Sequence, residues 1–414
     1  MQITVVVAPM EASALLLKPS PSSSSSSSIQ EPCTVHPHGT IGSSYVGILC
    51  AMLGAGIMTL PSTVSATSPA LAMGLLVFTG LLAYASLWCL VLVANATRAY
   101  SYECLSCLFF PPALQWTMRA LILIPCFGAM VMYMILAMDM LLPFVSLSRP
   151  VLCLGFTLLC FPLCLPDSLH ALRYSNTLVL CCIFYIACVL VDRAVPLPWP
   201  ATTSPLSADS LAYAIPIQTF SFCCHFNYMR VYGELQHKPS MPLVTWLIVG
   251  TAAFLYAAFS LAGYVAFRGL PPHDILTGFP VSDASVSGIR LALALAMLCK
   301  MPLAYQPLRD MLEKVVGVQT CPRAKWCFRT VVTAGFLFAA CGIAVTADDL
   351  SYVMDWIGAT DGILVAFVVP GLFLYYATRH KAYKNALPSY ALWLALAMAA
   401  TGLVLAIFSV HRLV

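Results

Sequence analysis

A few strongly polar side chains stand inside runs that are otherwise apolar. Lys300 sits in "LALALAMLCKMPLAYQPL", Asp139 in "YMILAMDMLLP" and Asp361 in "IGATDGILVAFVVPGLFLY". His225 and Asn227 interrupt "FSFCCHFNYMRVYGEL", which closes on Glu234. An ionised group in hydrocarbon costs about 2.5–3.5 kcal/mol on insertion scales, so each is functional by default. Buried carboxylates and lysines favour their neutral forms and histidine titrates near neutral pH, so all can carry protons. Plainer readings stand beside these: Asp139 in an ion pair near a helix end, His225 and Asn227 bonding freed backbone groups, Lys300 snorkelling to the interface. The other chemical signal is "GAGIMTLP", from Gly54 to Pro61. Two glycines there lower helix propensity by about 1 kcal/mol each, so the stretch is built to bend, unwind or admit something close to its backbone. Close helix packing through small residues is the competing explanation.

No nucleophile elbow, P-loop or HExxH is present, so neither an enzyme nor a cofactor is expected. The "CLSC" at Cys104–Cys107 lacks a second pair or a nearby His, and no metal site is expected from it. The 18 cysteines fall mostly inside apolar runs, where they read as small hydrophobes. No predicted outer loop carries a Cys, so no structural disulfide is expected.

The elements that hold these residues follow from composition. Of 414 residues, 61% are hydrophobic and 9% charged, with a mean hydropathy of +0.89. Soluble domains do not have this balance; a polytopic all-α integral membrane protein does. Residues 1–38 differ, with a serine run from Ser22 to Ser28 and a Pro/His-rich end. They read as a disordered cytosolic tail ahead of a membrane domain over 39–414. The short "ITVVVAP" has no basic residue before it and does not read as a signal peptide.

Apolar runs predict eleven membrane helices: 41–60, 72–95, 118–144, 150–166, 174–192, 211–229, 243–266, 285–306, 328–346, 350–378 and 388–410. With the tail cytosolic, the inner segments hold most of the 20 Lys and Arg, which places the N-terminus inside. A glycine break in the first helix and a His/Asn interruption in the sixth suggest two five-helix halves of opposite orientation, 41–192 and 211–378, plus one extra helix, 388–410. Matching breaks in two halves point to a midplane binding site.

These motifs, in this order, resemble the amino acid/auxin permease family, which includes the sodium-coupled neutral amino acid transporters. "GTIGSSYVGILCAMLGAGIMTLP" is similar to that family's first helix, "SYECLSCLFFPP" to the stretch after the second and "YMILAMDMLLP" to the third. "FCCHFNYMRVYGEL" is similar to the sixth, "QPLRDML" to the end of the eighth and "IGATDGILVAFVVPGLFLY" to the tenth. The resemblance implies a LeuT-type fold, an inverted 5+5 repeat, and transport of amino acids by alternating access. It implies that backbone N–H groups at Gly54, Ala55 and Gly56 hold a substrate carboxylate, with Ser221, Cys224 and His225 nearby. An N–H-bearing helix end with its positive dipole suits an anion on physical grounds too.

The chain also departs from that family. Where sodium-coupled members carry an Asn, this sequence has Cys50, whose soft sulfur is a poor sodium ligand. The helix-eight hydroxyl position falls on or beside Lys300. The expected activity is therefore sodium-independent, either proton-coupled or facilitative, for neutral or cationic amino acids. Lys300 then stands in for the missing cation, carries a proton, or snorkels; Asp139 or Asp361 meets a cationic side chain or a proton; Glu234 pairs at an inner gate; Asn227 satisfies freed backbone. A receptor-like amino-acid sensor signalling through the tail is the rival. The expected partners are the amino acid, protons and the bilayer, with no nucleic acid and a monomeric state. The plasma membrane is the expected location, with a vacuolar or lysosomal membrane as the alternative.

Overall fold

The computed structural model of the chain describes residues 39–166, 173–200, 207–272, 275–280, 282–317, 322–346, 357–358 and 362–410. The tail, 1–38, and Asp361 lie outside these residues. Among the described residues the regular structure is helical, apart from one isolated bridge between Gly39 and Leu235.

The chain begins with α1 (Ile41–Met52), a 3-10 turn (Ala55–Met58) and α2 (Leu60–Thr67). It continues through α3 (Pro69–Thr97), α4 (Tyr102–Phe109), α5 (Pro112–Leu141), α6 (Arg149–Cys164) and α7 (Arg173–Ala194). The second half runs through α8 (Ala208–Ser221), α9 (His225–Glu234), α10 (Met241–Ala266), α11 (Ala284–Val316) and α12 (Pro322–Thr346). A π-helical turn (Leu364–Val368) leads into α13 (Val369–Arg379), and α14 is Ala391–Val410. Seven helices are long and apolar enough to cross a bilayer: α3, α5, α7, α10, α11, α12 and α14. The pair α1 and α2, bent by 57°, makes an eighth span, while α6 and Leu364–Arg379 are shorter apolar helices.

Polarity is inverted relative to a soluble protein, as the bilayer requires. Phe254, Trp393 and Val404 are exposed, whereas Lys300, Gln306 and Arg309 are fully buried. The centre of the fold is α11, which packs chiefly on α5 and α7, while α10 packs on α2, α3 and α7.

Three boundaries depart from the sequence expectation. The sixth run, expected over 211–229 with an interruption at His225 and Asn227, is broken just before them, between α8 and α9, and continues to Glu234. The run expected over 285–306 continues to Val316 through Pro302 and Pro307. Proline is tolerated there because a neighbour takes the carbonyl it frees: Pro307 cannot bond Leu303 O, and Asn227 Nδ2 donates to that oxygen at 3.2 Å. Third, "YECLSCLF" forms α4, whose N-cap Ser101 accepts from Cys104 N at 3.1 Å. Cys104 is disulfide-bonded, contrary to the expectation of no structural disulfide.

Charge gathers on the face that carries α4. Arg309 Nη1 donates to Cys164 O, Leu165 O and Pro166 O, at 3.0, 3.3 and 2.9 Å, and so caps the C-terminal end of α6. Glu313 gathers Arg309, Arg329 and Lys325, and Arg119 pairs with Glu103 at 2.9 Å. Gly39 N donates to Glu234 O at 2.8 Å and Gln236 N to Gly39 O at 3.0 Å, clipping the start of α1 to the end of α9. A Cβ at Gly39 would stand 3.1 Å from Glu234 O, so the clip favours glycine.

Candidate functional site

The first break follows from Gly54, Gly56 and Pro61. α1 ends where Leu53 N bonds Leu49 O at 2.9 Å, and Gly54 is extended with φ −90° and ψ −164°. A single 3-10 turn follows, and Pro61 occupies the first turn of α2, where its missing N–H costs nothing. The first bond of the 3-10 turn runs from Ile57 N to Gly54 O. The N–H groups of Ala55 and Gly56 precede it and have no acceptor within the turn.

The second break lies at Phe222–Cys224. Phe222 N and Cys223 N bond back to Thr219 O and Phe220 O, at 3.2 and 3.0 Å, and close α8. α9 then restarts at His225 with no side-chain cap from Cys224. Its first N–H groups are therefore unsatisfied by the helix itself.

Side chains from two other helices take the carbonyls that the breaks release. The Tyr256 hydroxyl on α10 lies 2.7 Å from Met52 O and 2.6 Å from Ser221 O, bridging the two breaks. Lys300 on α11 donates from Nζ to Leu53 O. The Lys300 side chain is fully buried, with Nζ 5.8 Å from the centroid of the Tyr133 ring, so it does not run to an interface. Cys50 is buried close enough to Lys300 to interact with its charge.

A cavity opens between the breaks, α5 and α11. Gly54, Gly56, Ser221, Cys224, His225 and Asn227 line it, with Tyr133 from α5 and Leu303 from α11. Among the described residues no Asp, Glu, Lys or Arg lines this cavity. The two glycines play different parts. A Cβ on Gly56 would stand 2.7 Å from Ser221 Oγ, so Gly56 lets the breaks pack together. A Cβ on Gly54 would meet only Met52 O and the Tyr133 hydroxyl, at 3.8 and 3.9 Å, so Gly54 leaves space in the cavity wall. The packing reading thus fits Gly56, and the open-backbone reading fits Gly54.

His225 and Asn227, two positions apart, leave α9 on different faces. His225 is buried, and its Nε2 lies 3.1 Å from Ser86 Oγ on α3. Ser86 Oγ in turn donates to Ala366 O, the carbonyl that Pro370 cannot bond. The serine proton being committed there, Nε2 must carry the proton of the histidine contact and Nδ1 is bare. Asn227 instead faces α11 through Leu303 O.

The other candidates lie apart from the cavity lining. Glu234 Oε1 is 3.5 Å from Arg230 Nε, and Arg230 also pairs with Asp310 on α11. Asp139 Oδ1 is 3.5 Å from Arg149 Nη2 at the far end of α5, with both side chains partly exposed. Ion pairs this exposed contribute about 0–1 kcal/mol. Asp139→Asn is accordingly expected to leave the melting temperature of the purified protein within about 2–4 °C of wild type and uptake within about twofold. Selective loss of arginine and lysine uptake would instead assign Asp139 to substrate.

The sequence reading missed Tyr133 and Tyr256. Each is a tyrosine in an apolar helix, and a buried phenol needs a partner, which was the available signal.

The family model described as transmembrane amino acid transporter protein matches residues 37–414. The chain is similar to vacuolar amino acid transporter 5 of Schizosaccharomyces pombe, 23% identical over 360 residues, covering 82% of this chain and 84% of that one. It is also similar to the putative sodium-coupled neutral amino acid transporter 11 of Danio rerio, 24% identical over 364 residues and covering 81% and 80%. Among solved structures it is similar to a Na+-coupled sialic acid symporter in a substrate-bound, outward-open state, with a TM-score of 0.58 and 13% identity over 89% of this chain and 90% of that one. That likeness is one of fold.

Proposed function

The chain belongs to the transmembrane amino acid transporter family, and from that premise we propose that it moves amino acids across its membrane by alternating access, without sodium. The observation that carries the reading is the cavity at which both helix breaks meet. The N–H groups of Ala55 and Gly56, which precede the first bond of the 3-10 turn, suit a carboxylate, and the Tyr256 bridge couples the two breaks. The helices over 41–192, 211–378 and 388–410 act as two five-helix halves and an additional helix, and residues 1–38 precede the membrane domain as a cytosolic tail.

Lys300 supports the sodium-independent part. Its ammonium occupies a carbonyl ligand freed at the first break, beside a thiol that is a poor ligand for a hard cation. A sodium ion there would meet a fixed positive charge. Coupling is then to protons or absent, and the similarity to vacuolar amino acid transporters makes an internal membrane as good a location as the plasma membrane.

Uptake of labelled alanine, glutamine, arginine and lysine into proteoliposomes, with sodium and proton gradients imposed separately, tests the proposal. Uptake indifferent to sodium is the expected result. Sodium-dependent accumulation overturns the assignment of Lys300, and absence of uptake for every amino acid overturns transport.

A further inference from the structure

We propose that the turn between α13 and α14 binds the headgroup of an anionic phospholipid through Arg379, Lys381 and Lys384. The proposal is independent of what the central cavity carries.

The sequence concentrates positive charge here and leaves it unopposed. The stretch "TRHKAYKN" holds Arg379, Lys381 and Lys384, and no Asp or Glu occurs from residue 362 to 414. Elsewhere on this face charge is balanced: Arg230 pairs with Asp310, Arg329 with Glu313 and Arg119 with Glu103. Among the described residues Arg379, Lys381 and Lys384 enter no such pair, and all three are exposed. Membrane topology asks for basic residues on one side of the bilayer, whether paired or not. It does not ask that the uncompensated ones share a turn. Arg379 also suits the carbonyl end of α13, but the two lysines lie beyond it.

The backbone of the turn is fixed. Tyr383 N and Lys384 N both bond His380 O, at 3.1 and 3.0 Å, and Ala382 N bonds His380 Nδ1 at 3.3 Å. The His380 ring stacks on Tyr383 with centroids 4.9 Å apart, and Phe109 of α4 meets both rings, at 6.4 and 6.0 Å. The turn is thereby seated on α4 while its basic side chains reach outward.

Beside this charge lies an apolar wall. Tyr390, Trp393 and Leu396 follow one another at helical spacing toward and along α14, and all are exposed. Trp88 Nε1 of α3 donates to the Tyr390 hydroxyl at 3.3 Å. Phenol and indole rings at the start of an exposed apolar helix mark the depth of the lipid headgroups. A phosphate at that depth meets the ammonium and guanidinium groups, and its acyl chains continue along Trp393 and Leu396. A soluble anion would use only the charged half of this arrangement, so the ligand is a lipid. Residues 1–38 join the same face through the Gly39 clip, and the cytosolic leaflet that they are proposed to face is the anionic one.

The test titrates the purified full chain, in a neutral detergent, with phosphatidylserine or phosphatidylcholine while its melting temperature is read. Phosphatidylserine is expected to raise the melting temperature saturably and phosphatidylcholine to leave it unchanged. The rise should shrink between about 0.15 and about 1 M salt, as the screening length falls from about 8 to about 3 Å. Removing all three charges, in Arg379→Gln with Lys381→Gln and Lys384→Gln, should raise the half-saturating phosphatidylserine concentration about a hundredfold, or about fivefold for each charge. Lys384→Gln alone should raise it about fivefold, which decides the matter if the triple variant does not fold. Arg98→Gln with Arg323→Gln removes two other exposed basic residues of this face and should change it less than about twofold.

Equal rises with both lipids overturn the proposal, and so does an unchanged half-saturation after the charges of the turn are removed. A comparable loss in Arg98→Gln with Arg323→Gln overturns it too, since the effect then belongs to the net charge of the face. Glycerophosphoserine, the headgroup without acyl chains, is the last arm. Should it give the same rise at the same concentration, the site is one for a soluble anion and the lipid assignment falls.

Discussion

Lys300→Met is expected to cut amino-acid uptake by about a hundredfold while the protein still reaches the membrane. Methionine fills most of the volume of the lysine stem, so packing of α11 on α5 survives. What is lost is the ammonium at the first break, and with it the donor to Leu53 O, which is left buried and unbonded. An orphaned buried acceptor that had a charged donor costs up to about 3 kcal/mol, which is the hundredfold. Lys300→Arg then separates a fixed cation from a proton carrier, because arginine keeps its charge and does not give up its proton. Retained uptake in Lys300→Arg identifies a fixed surrogate cation; loss identifies proton transfer. Full accumulation by Lys300→Met would remove both roles. The double change Cys50→Asn with Lys300→Thr, which restores hard ligands, is expected to make uptake rise with sodium.

The second large effect is expected at Gly56. Gly56→Val pushes side-chain carbon into Ser221, whose Oγ already stands 2.7 Å from the position of a bare Cβ. Overpacking of this kind costs about 1–3 kcal/mol, and here it separates the two breaks that form the site. Uptake should fall below detection. The graded comparison is more informative: Gly56→Ala should lose about tenfold, and Ser221→Ala in the same molecule should recover most of it, because the clashing atom is the serine oxygen. Gly54→Ala has room for its methyl and should leave yield and melting temperature unchanged while weakening substrate binding. If Gly54→Ala and Gly56→Ala behave alike, the division of labour between the glycines is wrong.

The sequence carried the site's outline because its signals are local. Gly54, Gly56 and Pro61 interrupt one apolar run, and His225 and Asn227 another. Lys300 declared itself by being charged where hydropathy is highest. Helix lengths were less legible, since hydropathy averages over a window. It ended the sixth run at Met229, short of Glu234, and stopped the eighth at Gln306, just before Pro307. The partners were not legible at all. Tyr256 meets Met52 and Ser221, and Asn227 meets Leu303, only through contacts distant along the chain. Nothing in the local composition separates Tyr256 from a tyrosine that faces lipid. Nor does spacing reveal that the glycines differ, because the difference is the position of Ser221.

Tyr256 has one hydroxyl proton and two carbonyl oxygens within 2.7 Å of it. Whichever oxygen receives the proton, the other is held near a lone pair, so the two settings of this bond are close to degenerate. Parting the breaks then forfeits a single hydrogen bond, and the phenol can stay with either half-helix as they separate. The joint is thus a two-position toggle, symmetric between Met52 and Ser221, with no preference of its own for the direction in which the cavity opens.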